Sequence, residues 1–199
     1  MVEDRRMLLR EKILEIASTI ITTEGLSALQ ARRVAKEADC SVGTLYNVYG
    51  NLDRLVLAVN EMTLDRLRRA LNETRASQTD QTIERKVDTV ARAYLDFAAR
   101  EKHAWRALFE HRLTTETVAP QSFRDKEDAV FSVFDDCVSD GKTNAETKMQ
   151  SRAIFGAVHG IISLALDEKF DPFNEGQSQE AVAFIAATIA RGLNQSAAA

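Results

Sequence analysis

The side chains best placed to do chemistry lie in one short run, Ser41-Val42-Gly43-Thr44-Leu45-Tyr46-Asn47-Val48-Tyr49. Leu45 and Tyr49 are four apart, so on a helix they share a side that can be buried. Gly43, Thr44, Tyr46 and Asn47 then point away from it. Threonine and tyrosine hydroxyls donate to phosphate oxygens, and a carboxamide reaches a base edge. A glycine lets backbone come close to a ligand. This chemistry is recognition of a duplex rather than bond making. The chain has no Gly-rich phosphate loop, no nucleophile motif and no histidine pair at i, i+4, so nothing in it supports an enzyme, a metal site or a cofactor. His103 and His111 read as surface residues, and neither pairs with a cysteine or carboxylate at a metal-ligand spacing.

A run of this kind needs elements that hold it. Leu9, Ile13, Ile16, Ala17, Ile20 and Ile21 recur at three- and four-residue steps and predict a first helix over 5–24. Gly25 follows where a C-terminal cap sits, free to take positive φ. Leu29, Val34, Ala35 and Ala38 suit a short second helix. Asp39-Cys40 makes a tight break, since Asp tolerates a left-handed turn. Ser41 caps a third helix over 42–48. Asn51 caps a fourth, with Asp53 at the positive end of its dipole. That helix carries Leu55, Val59, Met62, Leu67 and Leu71 to about Thr74, a connector in length. Three short helices and a turn within 26–55 fit a helix-turn-helix, whose second helix grips the bundle on one side and enters a major groove on the other.

The rest reads as helix with short breaks. A polar loop covers 76–81, and helical patterns run over 82–101, 103–113, 119–139, 144–168 and 178–194. Breaks fall at Thr114-Thr115, at Asp140-Gly141 and over 171–176, and the 197–199 tail reads as frayed. The fold class is therefore all-α, with about nine helices. The 199 residues are 45% hydrophobic and 28% charged, enough apolar material for a core, and only 8 Gly and 2 Pro argue against a turn-rich β fold. The net charge is −4, and residues 1–75 carry 12 basic against 11 acidic side chains, so any nucleic-acid binding must come from a local patch. Cys40 and Cys137 read as two buried free thiols in a reducing compartment. The N-terminus lacks a signal-peptide stretch and no apolar run approaches the ~18 residues of a membrane span, which predicts a cytoplasmic protein with no membrane partner.

Residues 13–58 resemble the N-terminal DNA-binding domain of the tetracycline-repressor (TetR) family. The resemblance rests on Gly25-Leu26, Arg32-Arg33-Val34-Ala35, Ser41-Val42-Gly43-Thr44-Leu45-Tyr46, Tyr49-Gly50-Asn51 and Leu55. It implies that Arg32 reaches the groove from the supporting helix. It also implies that Thr44, Tyr46, Asn47 and Val48 stand at contact positions, that Val42 and Gly43 form the leading edge, and that Leu45 and Tyr49 pack. Three positions depart from the pattern. Gln30 stands where a capping Ser or Thr is usual, and Ser27 with Gln30 fits an alternative capping box. Val48 stands where a polar residue is common, leaving an apolar contact such as a thymine methyl. Leu52 replaces a phosphate-binding Lys, for which Arg54 or the arm of Arg5, Arg6 and Arg10 can compensate.

Residues 82–199 resemble the regulatory domain of a TetR subgroup with a His-Gly motif, through Tyr94-Leu95-Asp96-Phe97-Ala98, Trp105-Arg106-Ala107-Leu108-Phe109-Glu110 and Phe155-Gly156-Ala157-Val158-His159-Gly160. This implies a homodimer built from the last two helices. The sequence agrees: Gly156 and Gly160 clear one helix face, and Ala183, Ala186, Ala187 and Ala190 give a small-residue face beside Phe184, Ile185 and Ile189. Trp105, Phe109, Phe131, Phe134, Phe155 and His159 are candidates for an effector pocket as well as for plain core. The expected division is a DNA-binding domain over 1–50 and an effector-binding and dimerisation domain over 51–199, with the connector at about 52–74. The expected function is a ligand-responsive transcriptional regulator, a repressor that binds a palindromic operator as a dimer and leaves it when a small-molecule effector binds. The alternative is a helical protein–protein module without DNA contact.

Overall fold

Apolar side chains three and four apart make each helix two-faced. The computed structural model describes residues 2–76, 82–139, 144–167 and 175–197. Among these residues there are nine α-helices, one 3₁₀ turn and no strand, as the all-α reading requires. The elements are α1 (Val2–Glu24), the 3₁₀ turn (Leu26–Ala28), α2 (Ala31–Glu37), α3 (Val42–Tyr49), α4 (Leu52–Ala76), α5 (Ile83–Arg100), α6 (Lys102–Glu110), α7 (Gln121–Val138), α8 (Ala145–Asp167) and α9 (Glu175–Ala197). The polar loop at 77–81, the break at Asp140-Gly141, positions 171–174 of the later break and residues 198–199 of the tail lie outside the described residues, as does the side chain of Ala190.

The chain forms two compact units. One is Met1–Asp65 with Glu101–Lys126, and the other is Arg66–Arg100 with Glu127–Ala199. The first is built around α1, whose Ile13, Ala17, Ile20 and Ile21 are buried with Val34, Ala35 and Ala38, Leu45 and Tyr49, Leu55, Val56 and Val59, and Ala107. Burying one leucine such as Leu45 in full contributes about 2 kcal/mol. The short helices α2 and α3 owe their stability to this burial, because isolated helices of that length do not persist in water. Their connections need unusual backbone. Gly25 ends α1 at φ 90, Asp39 turns at φ 57 between α2 and α3, and Gly50 ends α3 at φ 85.

In the second unit α5 packs on α9 and α8, and α8 packs on α9. Leu67, Leu71, Tyr94, Phe97, Phe134, Ile154 and Ile162 are among its fully buried large side chains. The sequence reading of no membrane-length apolar run needs correcting for α8, which reaches a mean hydropathy of 1.2 over such a window. Its buried Thr147, Ser151, Ile154, Val158 and Ile162 recur at helical spacing, which is the pattern of a bundle helix packed on neighbours. Cys137 is buried as expected, whereas Cys40 is half-buried; both are free thiols.

Candidate nucleic-acid interface

The local sequence sets the pose of α3. Ser41 holds extended backbone and its hydroxyl accepts from the Thr44 amide at 3.0 Å, satisfying one of the donors left over at a helix start. Gly50 closes the helix by donating to the Tyr46 carbonyl at 2.7 Å. Asn51 then starts α4, its Oδ1 accepting from the Arg54 amide at 2.9 Å. The cap expected at Ser27 and Gln30 does not form. Ser27 lies inside the 3₁₀ turn, and Gln30 stands at the start of α2 without a side-chain bond. Burial of Leu29, Val34 and Ala35 fixes the phase of α2, and that phase puts its first residue at Ala31.

Leu45 is fully buried and Tyr49 nearly so, while Tyr46 is 40% exposed. Gly43 and Asn47 are exposed, and Thr44 is half-buried with its hydroxyl 2.8 Å from that of Ser41. Val42 and Val48 are half-buried and lean on the core. The outward face of α3 is thus Gly43, Tyr46 and Asn47, with Thr44 at its edge. A Cβ built on Gly43 would meet only the Ser41 hydroxyl, at 3.6 Å.

Electrostatics separates the two arginines of α2. Arg33 donates to both oxygens of Glu24, at 2.6 and 2.8 Å, and to Glu37 at 2.9 Å. Those hydrogen bonds raise its own pKa further and hold the Glu24 carboxyl below its ordinary range. Its charge is therefore offset within the chain. Arg32 is exposed and has no hydrogen-bond or ion-pair partner among the described residues.

The basic arm has partners of its own. Arg10 donates to the Val48 carbonyl at 3.1 Å and Arg6 to the Asn47 carbonyl at 3.4 Å. The Arg10 guanidinium also lies 4.3 Å from the centre of the Tyr49 ring, and the Tyr49 hydroxyl donates to the Arg10 carbonyl at 2.8 Å. Sequence reasoning missed these contacts because the partners are about forty positions away.

It also missed a polar knot at the start of α4. Asp53 accepts from the Thr114 hydroxyl at 2.7 Å, the Thr114 amide at 3.2 Å and His111 Nε2 at 3.1 Å. A carboxylate only accepts, so the His111 ring nitrogen is the donor. Asn51 donates to the Thr117 hydroxyl at 2.8 Å beside it. The Thr114 hydroxyl is the main cause that brings the Asp53 pKa down to about 2 from 3.8, with burial opposing. His111 is therefore no surface residue, since only 10% of its side chain is accessible.

The six expected pocket residues divide between the two units. Trp105 and Phe109 are neighbours on α6 in the first, rings 5.4 Å apart, with Trp105 buried and Phe109 exposed. In the second unit Phe131, Phe134, Phe155 and His159 gather with Tyr94. Phe155 lies 5.0 Å from Phe131, 5.5 Å from Phe134 and 5.5 Å from His159. Tyr94 and His159 are hydrogen-bonded at 2.9 Å, and burial lowers the His159 pKa, which favours the neutral ring. Tyr94 joins this cluster, a role its place in the sequence did not reveal. A separate groove of about 640 Å³ in this unit has the charged walls Glu73, Arg92, Asp96 and Arg100.

The expected dimer residues are mixed. Added Cβ atoms at Gly156 and Gly160 would meet nothing within 4 Å, so that face of α8 is open. On α9 Ala183 and Ala187 are half-buried and Phe184 is 66% exposed. Ala186 is fully buried inside its own subunit and packs there instead of facing outward. Among the described residues, no group of histidine, cysteine and acidic side chains could hold a metal ion.

Residues 87–189 match the family described as tetracyclin repressor-like, C-terminal domain. No curated protein matches the chain. Several solved structures share its fold. One is a protein of unknown function from Rhodococcus sp. RHA1, 20% identical, with a TM-score of 0.73 over 92% of this chain and 94% of that one. Another is a TetR transcriptional regulator from the same organism, 17% identical, with a TM-score of 0.66 over 89% of this chain and 95% of that one. A third is RolR in complex with resorcinol, 17% identical, with a TM-score of 0.65 over 95% of this chain and 89% of that one. At these identities the likeness is one of fold.

Proposed function

The chain belongs to the tetracyclin repressor-like family, whose match spans more than half its length, and on that footing we propose that it is a ligand-responsive transcriptional regulator that reads DNA with α3. One observation carries the reading. Leu45 and Tyr49 anchor α3 in the core while Tyr46 and Asn47, which lie between them, face solvent. A structural bundle helix gains nothing by exposing a tyrosine there, whereas a groove-reading helix needs an outward polar and aromatic face. Arg32 supplies an uncommitted guanidinium for phosphate or guanine, with Val42, Gly43, Thr44 and Val48 around the contact.

The regulator acts as a homodimer in the cytoplasm. The open face of α8 at Gly156 and Gly160, with Ala183 and Ala187 of α9, is where a second copy packs. Two copies of α3 then meet half-sites about 34–36 Å apart on a palindromic operator. Residues 1–50 form the DNA-binding domain and 51–199 the effector-binding and dimerisation domain, within the subgroup marked by His159-Gly160. A small-molecule effector in the later domain releases the operator; RolR, a protein of this fold, is seen in complex with the ligand resorcinol. Phe131, Phe134, Phe155, His159 and Tyr94 are the candidate aromatic contacts. Release requires only that the effector prefer the conformation with poor DNA affinity, by about 1–3 kcal/mol. Recognition, not catalysis, is the activity, and it needs no cofactor.

The test is selection of duplexes from a random library by the whole chain, followed by band shifts and a solution mass measurement. The proposal expects a two-fold symmetric sequence bound by a dimer. Failure to enrich any sequence refutes it.

A further inference from the structure

We propose that Arg10 is a positioning residue that fixes the pose of α3 from behind, instead of contacting a phosphate as its place in a basic N-terminal stretch suggests. The inference rests on the reading of α3 as the DNA-contacting helix.

Arg10 is joined three times to the last turn of α3, twice through Tyr49. The Arg10 side chain donates to the Val48 carbonyl at 3.1 Å, its guanidinium lies 4.3 Å from the centre of the Tyr49 ring, and the Tyr49 hydroxyl donates back to the Arg10 carbonyl at 2.8 Å. Arg10 thus engages the last turn of α3 through both its side chain and its backbone carbonyl. The last carbonyls of a helix lack intrahelical partners and carry partial negative charge, so a cation there is doubly favoured. Gly50 satisfies the Tyr46 carbonyl, which leaves those of Asn47 and Val48 to the arginines of α1. Tyr49 is only 4% exposed, so its hydroxyl is committed inward and is no candidate for a DNA contact.

The consequence is geometric. With only eight residues, α3 depends on its neighbours for its orientation. Leu45 fixes its middle, and the Arg10–Tyr49 clamp fixes its C-terminal turn, where Tyr46 and Asn47 face outward. A small rotation about the helix axis would swing both side chains away from base edges and would leave the chain's overall charge toward DNA unaltered.

Phosphate contact and positioning leave different signatures. A lost phosphate contact flattens the salt dependence of binding by about 0.9 per subunit and weakens all sequences alike. A lost clamp leaves the slope alone and erodes the preference for the selected sequence. The experiment compares wild type, Arg10→Gln and Tyr49→Phe on a duplex selected by the wild-type chain and on the unselected pool, across a salt series. Amide hydrogen exchange over 46–50 is measured on the free protein. The clamp predicts, for Arg10→Gln, a fall of about tenfold or more in the ratio of selected to unselected affinity, at unchanged slope. It predicts a smaller fall in the same direction for Tyr49→Phe, which alters no charge. It predicts faster exchange at the end of α3 in both variants. A flatter slope with the preference intact in Arg10→Gln, wild-type preference in Tyr49→Phe, or unchanged exchange overturns it. A wild-type chain that prefers no duplex refutes the regulator reading instead, and the exchange measurement then decides the clamp alone.

Discussion

Replacing Asp53 by asparagine tests whether the knot at the start of α4 stabilises the first unit through charge. Asp53 accepts three hydrogen bonds from Thr114 and His111. They bring its carboxyl from 3.8 to about 2, a fall that corresponds to about 2.5 kcal/mol of preference for the charged form in the folded chain. The side chain is 17% accessible, so solvent screening trims this, and a loss of about 1–2 kcal/mol is expected for Asp53→Asn at neutral pH. In a chain of this size that is roughly 3–6 °C in Tm. The sign of the pH effect follows from the direction of the shift. A carboxyl whose folded pKa lies below its unfolded value contributes fully above about 4 and loses that contribution as pH falls toward 2. The gap between wild type and variant, read by urea unfolding, should therefore be widest at pH 7 and shrink toward zero as pH falls through and below the folded pKa, where the wild-type carboxyl becomes neutral. Thr114→Val should cost less in the Asp53→Asn background than alone, because the two share one interaction. A gap that is the same at both ends of the pH range would refute the charge-based account, and no gap at pH 7 would refute any contribution from the knot.

Other outcomes follow from the geometry around α3. Arg32→Ala should weaken DNA binding and leave unfolding within about 0.5 kcal/mol of wild type, whereas Arg33→Ala should leave DNA binding unchanged because Glu24 and Glu37 already offset its charge; band shifts and urea melts on the pair check this. Ser41→Ala should cost about 1 kcal/mol in urea unfolding, through loss of the bond from the Thr44 amide. Gly43→Ala should fold at least as stably as wild type, since its Cβ meets only the Ser41 hydroxyl at 3.6 Å, yet bind DNA more weakly if backbone approaches the duplex there; unaltered affinity in a band shift would place that backbone away from DNA.

The parts of the fold legible in the sequence are those with local causes. Apolar spacing gave the helices, and Gly25, Asp39, Ser41 and Asn51 each behave as their own chemistry dictates. Leu45 and Tyr49 turn inward and Tyr46 outward because a four-residue step fixes a helix face. The errors share a different cause. Ser27 and Gln30 have the types and spacing of a capping box, but the pull of Leu29 into the core winds that stretch into a 3₁₀ turn. His111 sits between Glu110 and Arg112 and so reads as surface, while its partner Asp53 lies 58 positions away. Arg6 and Arg10 read as a free basic arm for the same reason. Tertiary partners leave no periodic trace in one sequence. Trp105 and Phe109 resemble Phe131 and Phe155 in type, and only the fold assigns them to different units.

The most direct test of the central claim is a band-shift titration of Tyr46→Ala/Asn47→Ala against the duplex that the wild-type chain selects, with the unselected pool alongside. Both side chains are exposed, so the variant should unfold within about 1 kcal/mol of wild type. If α3 reads the duplex with its outward face, the variant should lose at least about tenfold in preference for the selected sequence, the loss of a single good base contact being about 1–3 kcal/mol. A folded variant that keeps the wild-type preference would contradict that claim.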